Sequence, residues 1–229
     1  MGNEFKSDFY DAMYASGGAE GIYDLPYYRS SYYPLFREVH RALKRHDARS
    51  VLEVGCGSGA FAHLLQDREK GIRYFGFDFS PVAVQRAGAR VGCPERFFVG
   101  DARVKESYSS TFDSIVCTEV LEHISDDLEV VKQWALGTYC VCSVPNFDAD
   151  SHVRFFRSEN EVRYRYGALI DIERIVKIKK PFLHDLSWRN HLRALTWNRY
   201  RPSRLLAIMG LASFEDLGGW YVFSGIRKA

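Results

Sequence analysis

A chain of 229 residues, 46% hydrophobic and 26% charged with a net charge of +2, can bury one substantial core and is neither disordered nor strongly acidic or basic in composition. No apolar run approaches the roughly 20 residues of a membrane span, and the opening MGNEFKSDFYDAMY is too polar and acidic for a secretory signal. The five cysteines are odd in number, and Cys117, Cys140 and Cys142 sit in apolar runs, so they read as small core hydrophobes of a reducing compartment. These features lead one to expect a cytoplasmic protein with no membrane partner.

Seven of the fourteen tyrosines fall in residues 1–33, where Gly17-Gly18 and Pro26 leave room for a short helix and a loop. Pro34 suits the first turn of a helix whose apolar face is Leu35, Phe36, Val39 and Leu43. Val51–Val54 then read as a buried strand, followed by Gly55, Gly57 and Gly59 and by Phe61, Leu64 and Leu65 at helical spacing. A second strand, IRYFGFDFS, ends at Asp78, and Ser80-Pro81 is an N-cap and first-turn pair for the next helix. RFFVGDA gives a short third strand ending at Gly100-Asp101. FDSIVCTEVLEHI is a fourth strand running into a turn, Ser125-Asp126-Asp127 begins an amphipathic helix, and TYCVCSVPN is a fifth strand stopped by Pro145. Strands and helices alternating in this way predict a parallel sheet covered on both faces.

Beyond residue 146 the pattern is less regular. LIDIERIVKIK suits a strand or a helix, LLAIMGL a last helix stopped by Gly210, and FEDLGGWYVFSGIRKA a strand pair turning at Gly218-Gly219. Charge is uneven: residues 1–146 carry 16 Lys+Arg against 20 Asp+Glu, and residues 147–229 carry 15 against 9. The basic part interleaves Arg154, Arg157, Arg163, Arg165, Arg189, Arg193 and Arg199 with Phe155, Tyr164, Trp188 and Trp197. Such a mix suits an anionic substrate, nucleic acid or a solvated face with arginines packed on rings.

Four features recur at successive strand ends, on one edge of a parallel sheet: Glu53 with Gly55, Gly57 and Gly59; Asp78; Gly100-Asp101; and Thr118-Glu119. Strand, glycine turn and helix hold a nucleotide-like cofactor, and Gly55-x-Gly57-x-x-Ala60 satisfies even the looser dinucleotide pattern. Asp78 stands where a carboxylate accepts ribose hydroxyls. A pyrophosphate cofactor such as NAD leaves the acid at the third strand end unexplained. A sulfonium cofactor with a ribose and an adenine amine accounts for it.

In their order and spacing, LEVGCGSG, GFDFSP, VGDA and FDSIVCTEVLEHI resemble the successive motifs of the class I S-adenosylmethionine-dependent methyltransferases, over about residues 48–146. The resemblance implies a Rossmann-like α/β fold with a doubly wound seven-stranded sheet, mostly parallel with an antiparallel last strand. It divides the single domain into an N-terminal helical lid (1–47), a cofactor-binding core (48–146), a substrate cap segment (147–204) and a C-terminal helix and strand hairpin (205–229). It also implies that Gly55, Gly57 and Gly59 approach the methionine and ribose, with Glu53 supporting the turn. Asp78 would bind the ribose, Phe79 would border the adenine, Asp101 would take the adenine amine beside Ala102, and Thr118 would line the methionine end. Gly59 has packing between helices as its other role, and Asp101 an N-cap.

Methyl transfer needs a positioned nucleophile and, for a hydroxyl, a base. Glu119, Glu122 and His123, spaced i, i+3 and i+4, would share one face of a helical turn. His123 and Glu119 are the candidate catalytic residues. The stretch is similar to ubiquinone-pathway O-methyltransferases and to small-RNA 3′-end 2′-O-methyltransferases, both with Glu-x-x-Glu-His here and with metal binding known. His152 would complete such a site, although Mg²⁺ is not expected to be required. The expected function is transfer of a methyl group from S-adenosylmethionine, leaving S-adenosylhomocysteine, to an oxygen of a small molecule. The alternatives are RNA-directed 2′-O-methylation and, behind it, an NAD-dependent oxidoreductase. Tyr27, Tyr28, Tyr32 and Tyr33 are expected either to close the site or to cover the helical layer. Nothing in the sequence fixes the oligomeric state.

Overall fold

The structure, a computed structural model, describes residues 2–18 and 21–229. In chain order the elements are α1 (Ser7–Ala15), α2 (Tyr33–Arg45), β1 (Ser50–Val54), α3 (Ala60–Arg68), β2 (Arg73–Asp78), α4 (Pro81–Val91), β3 (Phe97–Val99) and β4 (Ser114–Cys117). There follow α5 (Asp127–Gln133), β5 (Tyr139–Pro145), α6 (Glu159–Tyr166), β6 (Ile170–Lys179), α7 (Trp188–Trp197), α8 (Pro202–Ile208), α9 (Phe214–Leu217) and β7 (Gly219–Arg227). The seven strands form one sheet in the order β3-β2-β1-β4-β5-β7-β6. Pairs among β1 to β5 are parallel, and β7 runs antiparallel to both of its neighbours.

Alternation along the strands explains the two cores. Val51, Val116 and Val141 face α2, α3 and α4 in one cluster, while Leu52, Val54, Ile115, Cys117, Cys140 and Cys142 face α5, α6 and α9 in the other. All five cysteines are free, and three of them are core hydrophobes of the second cluster. Strand order reverses between β1 and β4, so their carboxyl ends diverge and open a crevice there. Among the described residues no helix is long and apolar enough to cross a membrane.

Two expectations for the C-terminal part need correction. Gly218-Gly219 is not a hairpin turn. Gly218, at φ 69°, ends α9, and Gly219 begins β7. A left-handed glycine closes a helix as readily as it turns a hairpin, so the local signal was shared. The strand that pairs with β7 is β6, the segment that suited either a strand or a helix, with its register shifted between Ile172 and Arg174. Residues 147–204 therefore supply an edge of the sheet as well as surface helices.

The buried carboxylate of Asp127 holds this half of the molecule together. It accepts from the Tyr166 hydroxyl at 2.7 Å and from both ends of the Arg165 guanidinium, and Arg154 lies 3.2 Å away. Arg154 in turn donates to the carbonyls of Leu121, Ile124 and Ser125. The turn after β4 is thus clamped from beneath. Removing one partner of a buried ion pair costs about 3–5 kcal/mol because the other charge is left unsatisfied. Asp127→Asn should therefore lower the melting temperature by about 6–20 °C, at about 2–4 °C per kcal/mol for a chain of this size, as read by circular dichroism.

Candidate functional site

Two cavities lie at the carboxyl edge of the sheet, and they share a wall made of Tyr10, Tyr14, Gly55, Glu119 and His123. The smaller, about 90 Å³, is lined by Phe5, Asp78, Phe79, Asp101, Ala102 and Val120 among others. The larger, about 340 Å³, is lined by Glu53, Gly57, Thr118, His152, Lys180 and a set of aromatic rings. Every strand end singled out in the sequence opens on one cavity or the other.

Asp78 is nearly buried at the end of β2. Its Oδ2 accepts the Gly57 N–H at 2.9 Å, and its Oδ1 accepts the Ser80 N–H at 3.0 Å. Burial pushes its carboxyl up to about 6 against the pull of those two N–H donors. Glu53, one strand over, accepts the Tyr74 hydroxyl, and burial pushes it up to about 8. The glycine turn is tight because side chains sit on it: a Cβ on Gly57, at φ 50°, would stand 2.9 Å from the Tyr14 hydroxyl. Asp101 is exposed, and its carboxylate accepts the Arg103 N–H at 2.9 Å.

The turn after β4 differs from the expected helical one. Glu119 has left-handed backbone, φ 58°, and precedes a 3-10 turn over Leu121–His123, so it does not lie on one helix with Glu122. Strain of this kind in a non-glycine residue concentrates at functional sites. The side chains still meet. Burial raises both carboxyls, and the charge of Glu119 beside it raises Glu122 further.

His123 faces both cavities. Its Nδ1 lies 2.8 Å from the Ser151 carbonyl, so this nitrogen carries the proton and Nε2 keeps its lone pair. Burial pushes the imidazole down to about 4, hence neutral at physiological pH. His152 repeats the arrangement, its Nδ1 lying 3.1 Å from the Phe147 carbonyl and its ring edge-on to His123 at 5.0 Å. Ligand atoms of Glu122, His123 and His152 lie within 4.8 Å of one another. Among the described residues no donor hydrogen-bonds either oxygen of Glu122. A buried carboxyl without a donor and two imidazoles fixed through their Nδ1–H groups fit a divalent ion. Glu119 is not in this set.

Gly59 lines neither cavity. A Cβ there would come 2.8 Å from the Cα of Ala87 on α4, so its role is close packing of helices. Of the tyrosines expected to close the site, Tyr32 lines the larger cavity, whereas Tyr27 packs edge-on to His63 and Tyr28 and Tyr33 line neither cavity. The rings over the site are Tyr10, Tyr14 and Tyr23, with Tyr10 edge-on to Phe79 at 5.1 Å. Glu4 latches this segment by pairing with Arg103 and accepting the Ser125 N–H at 2.9 Å. Sequence reasoning also missed Arg90 and Lys180, two cations in the larger cavity whose places depend on how α4 and β6 pack. Arg189, Arg193 and Arg199 lie on their neighbouring rings on and just after α7, outside both cavities.

Sheet order and the two cavities together define a class I methyltransferase architecture. A family model described as a methyltransferase domain matches residues 27–204. The chain belongs to that family, whose members here are of the S-adenosylmethionine-dependent class. It is similar to the ubiquinone biosynthesis O-methyltransferase of Aliivibrio fischeri, 26% identical over 175 residues, which cover 74% of this chain and 65% of that protein. The counterpart from Paracidovorax citrulli is 32% identical over 92 residues, 38% of each chain. The chain thus spans about two thirds or less of these relatives' lengths.

Two solved structures share the fold. A putative methyltransferase from Haloferax volcanii, solved with its Trm112 activator, has a TM-score of 0.61 at 21% identity, covering 96% of this chain and 98% of that one. Magnesium protoporphyrin IX methyltransferase from Synechocystis PCC 6803 has a TM-score of 0.57 at 14% identity, covering 86% and 84%.

The imidazole geometry is open to direct measurement. Nitrogen-15 spectra should find both His123 and His152 as Nδ1–H tautomers at pH 7, with His123 gaining its second proton only near pH 4.

Proposed function

We propose that this protein transfers the methyl group of S-adenosylmethionine to an oxygen of a small molecule held in the larger cavity. The observation that carries the reading is the shared wall. It puts the free Nε2 of a neutral His123 between the smaller cavity, lined by Asp78, Phe79 and Asp101, and a larger one lined by rings. The relatives named as O-methyltransferases support an oxygen acceptor. The RNA reading has less support, because the exposed arginine–aromatic pairs stand outside both cavities.

On this reading the adenosine lies in the smaller cavity. Asp78 receives the ribose hydroxyls on the lone pairs not used by Gly57 and Ser80, Phe79 and Ala102 border the adenine, and Asp101 takes its amine. Gly55, Gly57, Glu53 and Thr118 line the methionine end. Arg90 lines the same cavity, and its buried Nη1 has no hydrogen-bond partner, which suits the methionine carboxylate. The acceptor oxygen attacks the methyl carbon in line with the carbon–sulfur bond, the bonding pair leaves on sulfur as S-adenosylhomocysteine, and the acceptor proton passes to His123 Nε2. The aromatic walls exclude water and orient the acceptor.

As the alternative to that proton transfer, Glu122, His123 and His152 would hold a divalent ion, His123 Nε2 then being a ligand and not the base, and this nitrogen-rich set suits a borderline transition ion better than Mg²⁺. Such an ion would act as a Lewis acid that lowers the pKa of an acceptor hydroxyl. Glu119 then positions the turn through the Ser143 hydroxyl, which receives its N–H at 3.1 Å.

Calorimetric titration with S-adenosylhomocysteine tests the cofactor site. Asp78→Asn should weaken binding by about 10- to 100-fold, the value of hydrogen bonds to a charged acceptor. Because the folded carboxyl titrates near 6, wild-type affinity should fall as pH drops through that value, and the variant should lose the dependence. Unchanged affinity in Asp78→Asn would exclude the assigned ribose site. For chemistry, His123→Ala should reduce turnover of a hydroxyl acceptor by about 10²-fold or more while leaving S-adenosylhomocysteine binding nearly intact. A similar loss of both would make His123 a cofactor-site residue instead.

A further inference from the structure

Lys180 follows β6 directly and lines the larger cavity on the acceptor side, beside Phe147, His152 and Glu119. Its backbone is pinned, since its N–H donates to the Gly218 carbonyl at 2.9 Å and Gly219 N–H donates to Asn146 Oδ1 at 2.7 Å. Its ammonium sits 4.0 Å over the Phe147 ring. Among the described residues no carboxylate forms an ion pair with it, although it is more than half buried. The nearby acid, Glu119, accepts the Ser143 hydroxyl at 3.3 Å and acts on Lys180 through space without a hydrogen bond to it.

An ammonium that lies over a ring, with Glu119 acting on it only through space, leaves its hydrogen-bonding capacity unused, which is costly unless a ligand supplies an anion. The cofactor does not fill this need. It brings one carboxylate, and Arg90 is the cation beside the glycine turn, where its Nη2 donates to the Tyr23 carbonyl that also receives the Ser58 hydroxyl. Lys180 stands on the wall with His152 and Phe147, so its charge is left for the second substrate.

We propose that Lys180 is an anion-binding residue of the acceptor site, and that the acceptor carries a carboxylate apart from the hydroxyl that is methylated. The inference rests on the methyltransferase reading above, and it narrows the acceptor from small hydroxyl compounds to hydroxy acids. Lys180 does no proton transfer in this account. It fixes the acceptor by one end so that the hydroxyl meets the methyl group.

The test uses the full chain loaded with S-adenosylhomocysteine, titrated with 3,4-dihydroxybenzoate, salicylate and benzoate and with the corresponding uncharged amides. Wild-type protein should bind at least one acid about tenfold more tightly than its amide, the usual advantage of a charge-assisted contact. In Lys180→Gln that preference should fall to about one, and Lys180→Arg should keep most of it. Equal affinity for each acid and its amide, absence of binding by every acid at millimolar concentration, or a preference that survives Lys180→Gln would overturn the proposal. S-adenosylhomocysteine binding, measured in the same samples, separates the two readings. If it is present, the methyltransferase reading stands whatever the acids do. If it is absent in the wild type, that reading has failed first.

Discussion

The buried carboxylate of Asp127 is the contact on which the site depends. Arg154 lies against it and fastens the carbonyls of Leu121, Ile124 and Ser125 in the turn after β4, while Arg165 and Tyr166 bind it from α6. A turn with left-handed backbone at Glu119 does not hold its shape by local preference. It is over-determined from below by this network and from the side by Ser143. The cofactor edge and the acceptor chamber meet at that turn, so the clamp sets the geometry of both.

Desolvation shapes the chemistry that the turn can support. Glu53, Asp78, Glu119 and Glu122 are all raised by burial, and His123 and His152 are lowered by it. Burial therefore opposes the charged form at each of these groups. A sulfonium cofactor would bring its positive charge among them. A neutral imidazole with a free Nε2 suits the same setting, as proton acceptor or as metal ligand. Glu4 and Phe5 close the adenine end through Arg103 and Ser125, so on the proposed placement cofactor exchange requires that latch to part.

Strand ends with glycine and acid were legible because each depends on a few neighbouring residues. The run LEVGCGSG makes a strand and a turn wherever it sits, and the Asp78 carboxylate at the end of β2 caps that turn through Gly57. What failed was local evidence with two meanings. Gly218-Gly219 ends a helix instead of turning a hairpin, and the i, i+3, i+4 spacing of Glu119, Glu122 and His123 belongs to a strained bend. Tyrosine enrichment near the N-terminus was visible, but which rings face the site depends on how α1 lies across the sheet.

The sequence by itself determined the doubly wound core, the edge at which ligands gather and the family, since periodicity and strand-end residues are local properties. Tertiary structure alone decided the rest. It paired β6 with β7, left Glu119 out of the cluster of Glu122, His123 and His152, and placed Arg90 and Lys180 in one chamber. Those placements arise from packing between elements distant in sequence, and no short window of residues carries them.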